Sequence, residues 1–267
     1  MSDFVLTADN YYTLEANEKY MSVHQYFDFA GHMGVQGCEK RAMATIRGEY
    51  AKERTLPMMV GSYVDSYFEG TLDKFKEENP EIFTQKGELK SNFKQAEKMI
   101  DRALKDEKFM AAMSGEKQVI MTGYLFGCDW KIKIDSYIPD TAIVDLKTAS
   151  DLHKAWKVRD YGYVSCAEYW GYTVQMAVYQ KIVEINTGKK LPCYLAFITK
   201  EDSPELKLCY IDQMTLDHSL NEVEMNMASV LAVKNGDVEP IPCGKCEYCK
   251  ATEPIDKVIN IAELIEV

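Results

Sequence analysis

Two acids and one amine, set in neighbouring runs of the chain, carry the strongest chemical signal. Asp135 lies in the alternating run DWKIKIDSYI, and Asp145-Leu146-Lys147 lies in the next run, across a tight turn through Ile138–Thr141. On adjacent antiparallel strands the two carboxylates can stand side by side. Carboxylates that share a site repel one another unless a cation separates them. Mg²⁺ or Mn²⁺, hard ions that seek oxygen, suit that position. Lys147 is two residues past Asp145, so on a strand its side chain faces the same way. A lysine there can orient a water, deprotonate it as the free amine, or stabilise an oxyanion as the ammonium. Metal and lysine together are the minimum apparatus for hydrolysing a phosphodiester. The spacing equally fits two turn-flanking surface acids with a solvated lysine partner, an arrangement of small energetic consequence.

Further residues bear on that choice. Gln175 and Tyr179 are four apart in a helical run, so they share a face and could grip a phosphate or orient the lysine. Asp65 and Glu69 are four apart on an earlier helix, and Glu116 opens the first strand. A second cluster of reactive side chains lies near the end of the chain. Cys243, Cys246 and Cys249 form C-x-x-C-x-x-C, with Gly244 easing the turn, so that three soft ligands can wrap one metal. A fourth ligand is normally required, and the chain offers Cys38. A structural zinc and an empty set of reduced thiols remain the alternatives to a cluster.

The elements that must position these groups follow from periodicity. Ser22 is an N-cap for the short helix VHQYFDFA. Helices are expected over 37–54, 58–79 and 92–114. The period then changes from 3.6 to 2. Three β-rich runs, 117–122, 125–139 and 142–147, are broken by turn signals at Gly123, Gly127 and Pro139-Asp140. In the second run Trp130, Ile132 and Ile134 take one face, and Lys131, Lys133 and Asp135 the other. The short apolar run AIVDLKTA reads as a buried central strand. A long helix over 165–188 closes at Gly188, two strands follow at 193–201 and 206–212, and a last helix runs from about 215 to 234. This order makes an α/β core with an antiparallel meander, helices before and after it.

The chain has 267 residues, of which 31 are Lys or Arg and 42 Asp or Glu, for a net charge of −11. An apolar fraction of 46% supports a folded core and excludes disorder as the main state. The acidic balance argues against passive coating of nucleic acid, but not against an enzyme that holds it locally. Neither a membrane-spanning run nor a secretory signal is apparent, so a cytoplasmic protein is expected. His24, His32, His153 and His218 form neither HxH nor HExxH. There is no P-loop, no GxGxxG and no GxSxG, so ATP hydrolysis, dinucleotide binding and serine hydrolysis lack support.

The ordered set GSYVDSYFEG, SGEKQV, KIKIDSYI, AIVDLKT and VQMAVYQ resembles the PD-(D/E)xK nuclease superfamily, and within it the RecB-like and phage RecE-type exonucleases. The resemblance spans about residues 20–250. It implies a restriction-endonuclease-like core, a mixed sheet of four or five strands flanked by helices, with a helical N-terminal region. It makes Asp135, Asp145 and the backbone carbonyl of Leu146 metal ligands and Lys147 the catalytic lysine. Gln175 and Tyr179 match the Q-x-x-x-Y motif of the RecB-like branch, and Glu116 an acidic position at the start of the sheet. Where relatives carry G-x-x-x-H, this chain has Gly61 and Asp65, and aspartate can also ligate Mg²⁺ or Mn²⁺. Some RecB-like nucleases join one early and three late cysteines around a [4Fe–4S] cluster. Cys38, Cys243, Cys246 and Cys249 resemble that layout, although with tighter spacing at the C-terminal end.

A single domain over 1–267 is expected, with a helical part to about 115, a catalytic core over about 116–235 and a Cys-rich tail over about 236–267. Lys131 and Lys133 near the site, and Lys154, Lys157 and Arg159 among Trp156 and Tyr161, form a path for a phosphate backbone, with 150–163 as a substrate-contacting loop. The expected activity is metal-dependent exonuclease action on duplex DNA. The resemblance adds 5′-to-3′ polarity, a role in phage-type recombination with a single-strand annealing partner, and a homo-oligomeric ring. The rivals are a structure-specific or single-strand endonuclease on the same core, and a non-catalytic DNA-binding module with a degenerate metal site.

Overall fold

The computed structural model describes residues 4–255 and 258–264. The chain begins with two capped helices, α1 (Leu14–Lys19) and α2 (Val23–Ala30). Thr13 and Ser22 serve as their N-caps, each hydroxyl accepting a backbone N–H three residues on. A small hairpin of β1 (Gly31–His32) and β2 (Val35–Gln36) leads to α3 (Glu39–Ile46). The helix expected over 37–54 is thus half as long, and the chain turns away at Gly48, whose φ is +74°.

The next two expected helices are each broken in two. The first becomes α4 (Leu56–Glu69) and α5 (Leu72–Glu78), because Gly70 takes the left-handed conformation that ends a helix. The second becomes α6 (Ser91–Leu104) and α7 (Glu107–Ala112), where Asp106 caps a new start by accepting the Phe109 N–H.

Three antiparallel strands follow: β3 (Glu116–Leu125), β4 (Cys128–Ile138) and β5 (Ala142–Ala149). Gly123 does not end the first of them. It lies inside β3, where a Cβ would come within 3.1 Å of Ile182 on the helix packed above, so close approach rather than a turn explains it. The reversal falls at Phe126-Gly127 instead. A short hairpin, β6 (Trp156–Val158) and β7 (Gly162–Val164), occupies the segment expected to be a loop. The helix expected over 165–188 is interrupted at Gly171, which has φ +72°, giving α8 (Cys166–Tyr169) and α9 (Tyr172–Thr187). Strands β8 (Cys193–Thr199) and β9 (Leu206–Ile211), the long α10 (Gln213–Lys234) and α11 (Glu247–Thr252) complete the order.

The central sheet runs β3-β4-β5-β8-β9, with β5 and β8 paired in parallel and the other neighbours antiparallel. Helices cover both faces, as a mixed sheet with two apolar faces requires. On one face Ile132, Ile134, Ile143, Leu195 and Phe197 pack with Met176 and Val178 of α9. On the other Val144, Leu146, Ala196 and Ile198 pack with Tyr63 and Val64 of α4 and Phe93 and Met99 of α6. Each fully buried side chain of this size contributes about 1.5–3 kcal/mol. Helix α9 is buried nearly all round because the sheet lies on one side and α10 on the other.

One irregularity places the functional groups. β4 and β5 pair only over Ser136–Ile138 and Ala142–Val144, then part. Beyond that point β4 stays with β3 and β5 stays with β8. The freed edge of β4 is met by Met21, whose N–H donates to the Asp129 carbonyl and whose carbonyl accepts from the Lys131 N–H.

Candidate active site

The two central acids stand at the mouth of this fork. By register Asp135 faces Asp145, one step past the last paired residues, Ser136 and Val144. The Asp135 carboxylate accepts the Leu146 N–H at 2.9 Å and the Gln118 amide at 3.1 Å. Asp145 is buried and accepts the Gln175 amide at 2.8 Å. Its other oxygen lies against the Lys147 ammonium but accepts no hydrogen bond of good geometry among the described residues. Lys147 also sits 4.8 Å from the centre of the Tyr172 ring.

A third acid comes from the other face of the fold. Helix α4 crosses β5 so closely at Gly61 that a Cβ there would meet the Thr148 hydroxyl at 3.1 Å. One turn later Asp65 reaches the same cleft, and Glu69 follows on the same side. Burial, and then the charge of Asp135, push Asp65 well above the usual carboxylate range. Burial and the neighbouring Asp145 push Asp135 up to about 6, although Lys147, the Leu146 N–H and Gln118 act in the opposite direction. Burial alone would lower Lys147, yet Asp145 and Asp135 outweigh it and hold the ammonium above its ordinary value.

These observations test whether a divalent ion fits. Asp65, Asp135 and Asp145 line one cleft and repel one another. A hard, oxygen-seeking cation among them would relieve that repulsion. Asp65, Asp135, Asp145 and the Leu146 carbonyl are the groups that would hold it.

The surrounding cleft has a volume of about 520 Å³. Of the residues singled out in the sequence, Asp65, Lys131, Lys133, Asp135, Asp145, Leu146, Lys147, Gln175 and Tyr179 line it. Tyr179 is buried one turn beyond Gln175, and burial raises its phenol. Glu116 does not join them. It is exposed opposite Tyr137 at the outer end of β3, and Gln118, two residues on and facing Asp135, takes the place assigned to it. Gln118 adopts φ +52°, uncommon for a residue with a side chain. Lys131 is no backbone-tracking cation either. It is buried, and its ammonium donates to the Tyr11 carbonyl at 2.5 Å and to Asn17 Oδ1 at 2.7 Å. Lys154, Lys157 and Arg159 are exposed on and around the β6–β7 hairpin, outside the cleft, with Lys154 4.0 Å above the Trp156 ring.

Sequence reasoning missed the wall supplied by the N-terminal segment: Tyr11, Tyr12, Asn17 and His24. His24 opens onto the cleft and is exposed there. The Ser22 cap fixed α2 in the sequence, but nothing in the pattern said which way His24 would face.

The four cysteines do converge. The Sγ atoms of Cys38, Cys243, Cys246 and Cys249 all lie within 4.8 Å of one another, Cys38 and Cys249 at 3.5 Å and Cys243 and Cys249 at 4.0 Å. Cys38 and Cys249 are buried. For Cys243, N–H groups of Lys245 and Cys246 outweigh burial and lower the thiol, favouring the thiolate that a metal requires. Flanking contacts tie the same segments: Lys40 to Glu253 at 2.6 Å, and the Ile241 N–H to Glu39 at 2.8 Å. The set can hold a metal.

Comparison with known proteins agrees with this geometry. Residues 22–252 match the family model of a PDDEXK-like domain of unknown function (DUF3799). Among solved structures, a "putative exonuclease" from Eubacterium rectale superimposes with a TM-score of 0.95 and 52% sequence identity, covering 98% of each chain. The crystal structure of SSO0001 matches with a TM-score of 0.28 and 13% identity over 72% of this chain and 85% of that one, and supports no inference. No match is found among curated proteins.

Proposed function

This chain belongs to the PDDEXK-like family DUF3799, within the PD-(D/E)xK nuclease superfamily, and we propose that it is a metal-dependent exonuclease acting on the ends of duplex DNA. The observation that carries the reading is the meeting of Asp135, Asp145 and Lys147 where β4 and β5 part. Asp65, Asp135, Asp145 and the Leu146 carbonyl would hold Mg²⁺ or Mn²⁺, which supplies charge neutralisation at the phosphate and acidifies a water. Gln175 fixes the Asp145 carboxylate, and Gln118 with the Leu146 N–H fixes that of Asp135. Lys147, beside Asp145 at the fork, is placed to donate to the attacking water or to a phosphate oxygen. Water adds at phosphorus and gives up a proton to solvent, the bond to the leaving sugar oxygen breaks, and that oxygen takes a proton from solvent.

Resemblance to RecE-type nucleases supports 5′-to-3′ polarity, a part in phage-type recombination beside an annealing protein, and a ring of subunits. The test is release of nucleotides from linear duplex in Mg²⁺ or Mn²⁺, compared with a covalently closed circle and with Asp145→Ala and Lys147→Ala. Loss in both variants and no cutting of the circle is the expected result. A nicked circle favours the endonuclease reading. Release unchanged in both variants overturns the assigned chemistry.

For the cysteines we propose one tetrahedral ion as a staple between α3 and the tail. Thiolates on a single zinc, with Zn–S near 2.3 Å, stand about 3.8 Å apart. Separations of 3.5 and 4.0 Å, with none of the six beyond 4.8 Å, favour a single ion, whereas a [4Fe–4S] cluster binds each thiolate to a different iron and spreads them further. Stoichiometric zinc in a colourless protein is expected after anaerobic purification. Broad brown absorbance establishes the cluster instead.

A further inference from the structure

The nuclease reading leaves unused a stretch of cleft wall beside the acids, and we propose that Tyr12 and Lys133 form a seat for the nucleotide adjoining the scissile phosphate. The base lies on the Tyr12 ring, and its phosphate meets the Lys133 ammonium. The inference rests on the proposed function and adds to it a recognition element for a single strand.

Strand β4 directs residues 131, 133 and 135 into the cleft. Asp135 belongs to the acids. Lys131 is committed to the Tyr11 carbonyl and Asn17, which pins the N-terminal segment to the sheet. Lys147 is paired with Asp145. Lys133 differs from both. Its ammonium lies 5.0 Å from the Tyr12 ring centre and 5.8 Å from that of Tyr11, and among the described residues no carboxylate or carbonyl binds it. It is two residues from Asp135, about 7 Å along the strand. That step is comparable to the one between successive phosphates of a single strand.

Tyr12 is 71% exposed although it borders the cleft. It does not dangle, because the buried Tyr11 ring holds it edge-on at 4.9 Å and 76°. An aromatic ring presented this way gives a base a stacking surface whatever its identity. The cleft is of ligand size, so it takes the end of one strand and not the width of a duplex. Asp28, Asp65, Glu69, Asp135 and Asp145 all border it, so a polyanion entering it needs an unpaired cation beside them.

The experiment measures binding of a fluorescent oligothymidylate to the full-length protein in Ca²⁺, over a range of salt, for wild type, Tyr12→Ala, Tyr12→Phe and Lys133→Ala. Tyr12→Ala should weaken binding about 5-fold or more, and Tyr12→Phe should stay within about twofold of wild type. Lys133→Ala should reduce the slope of log affinity against log salt by about 0.7. Wild-type affinity in Tyr12→Ala, or an unchanged salt slope in Lys133→Ala, overturns the seat. Nucleotide release by the wild type in Mn²⁺, run in parallel, tests the nuclease reading by itself. A protein that binds as predicted without releasing nucleotides keeps the seat and loses the hydrolytic function.

Discussion

The backbone N–H of Leu146 donates to the Asp135 carboxylate at 2.9 Å across the gap where β4 leaves β5. A ladder bond that would have joined two backbones is replaced by one that fixes a side chain. The separation of the two acids is therefore set by the main chain, as a positioned metal site requires.

Asp135→Asn tests this. Asparagine keeps an oxygen for the Leu146 N–H and removes the repulsion with Asp145. The metal-free variant should melt at or above the wild-type temperature at pH 7, while nucleotide release falls at least about 100-fold. A variant that melts far below wild type shows that the charge, and not the geometry, holds the fork.

The raised acids give a defined pH dependence. Burial and Asp145 move Asp135 up to about 6, so between the ordinary carboxylate range and pH 6 the folded protein binds more protons than the unfolded chain. Stability of the metal-free protein should fall as pH rises through that window, the reverse of a salt-bridged carboxylate. Mn²⁺ must displace the protons held by Asp135 and Asp65, so its affinity should rise at least about fivefold from pH 5 to pH 6. Titration calorimetry at pH 5, 6 and 7 checks this. A flat profile removes Asp135 from the ligand set.

Gln175→Leu removes the amide that orients Asp145 without adding charge. Supporting contacts of this kind carry about 10- to 100-fold in metal affinity. The expected signature is a higher Mn²⁺ requirement with activity largely restored at saturating metal. Loss that no metal concentration restores would assign Gln175 to the substrate instead.

Reversing Lys154, Lys157 and Arg159 to Glu should weaken duplex binding and lower its salt slope by as much as about 0.9 for each phosphate no longer neutralised. Melting should not change, since these side chains are exposed. Equal binding by variant and wild type at every salt concentration discards the hairpin as a DNA-binding element.

Much of this arrangement was legible in the sequence. The alternation around Asp135 and the apolar run around Asp145 gave strands, turn and facing correctly, because period-2 patterning fixes which side chains share a face. Helix extents were less legible. Gly70 and Gly171 end helices only because the chain adopts left-handed φ there, and amphipathic spacing continues on both sides of each break. Lys131 reads in the sequence as a phosphate-tracking lysine because the cover that buries it comes from residues 11–17, distant in sequence. Glu116 stands out in the sequence by residue type and Gln118 does not, since a neutral amide that supports an acid leaves no mark of its own in a pattern.

Cys38 and Cys249 enclose almost the whole sheet between them in sequence, yet their sulfurs are 3.5 Å apart. During synthesis the fourth thiolate does not exist until residue 249 has been added. Any ion held by all four is therefore captured only after every strand of the central sheet has been made. Such an ion locks an assembled nuclease fold and cannot nucleate one. Metal scarcity in the cell would leave a protein whose strands are formed but whose tail is unlatched.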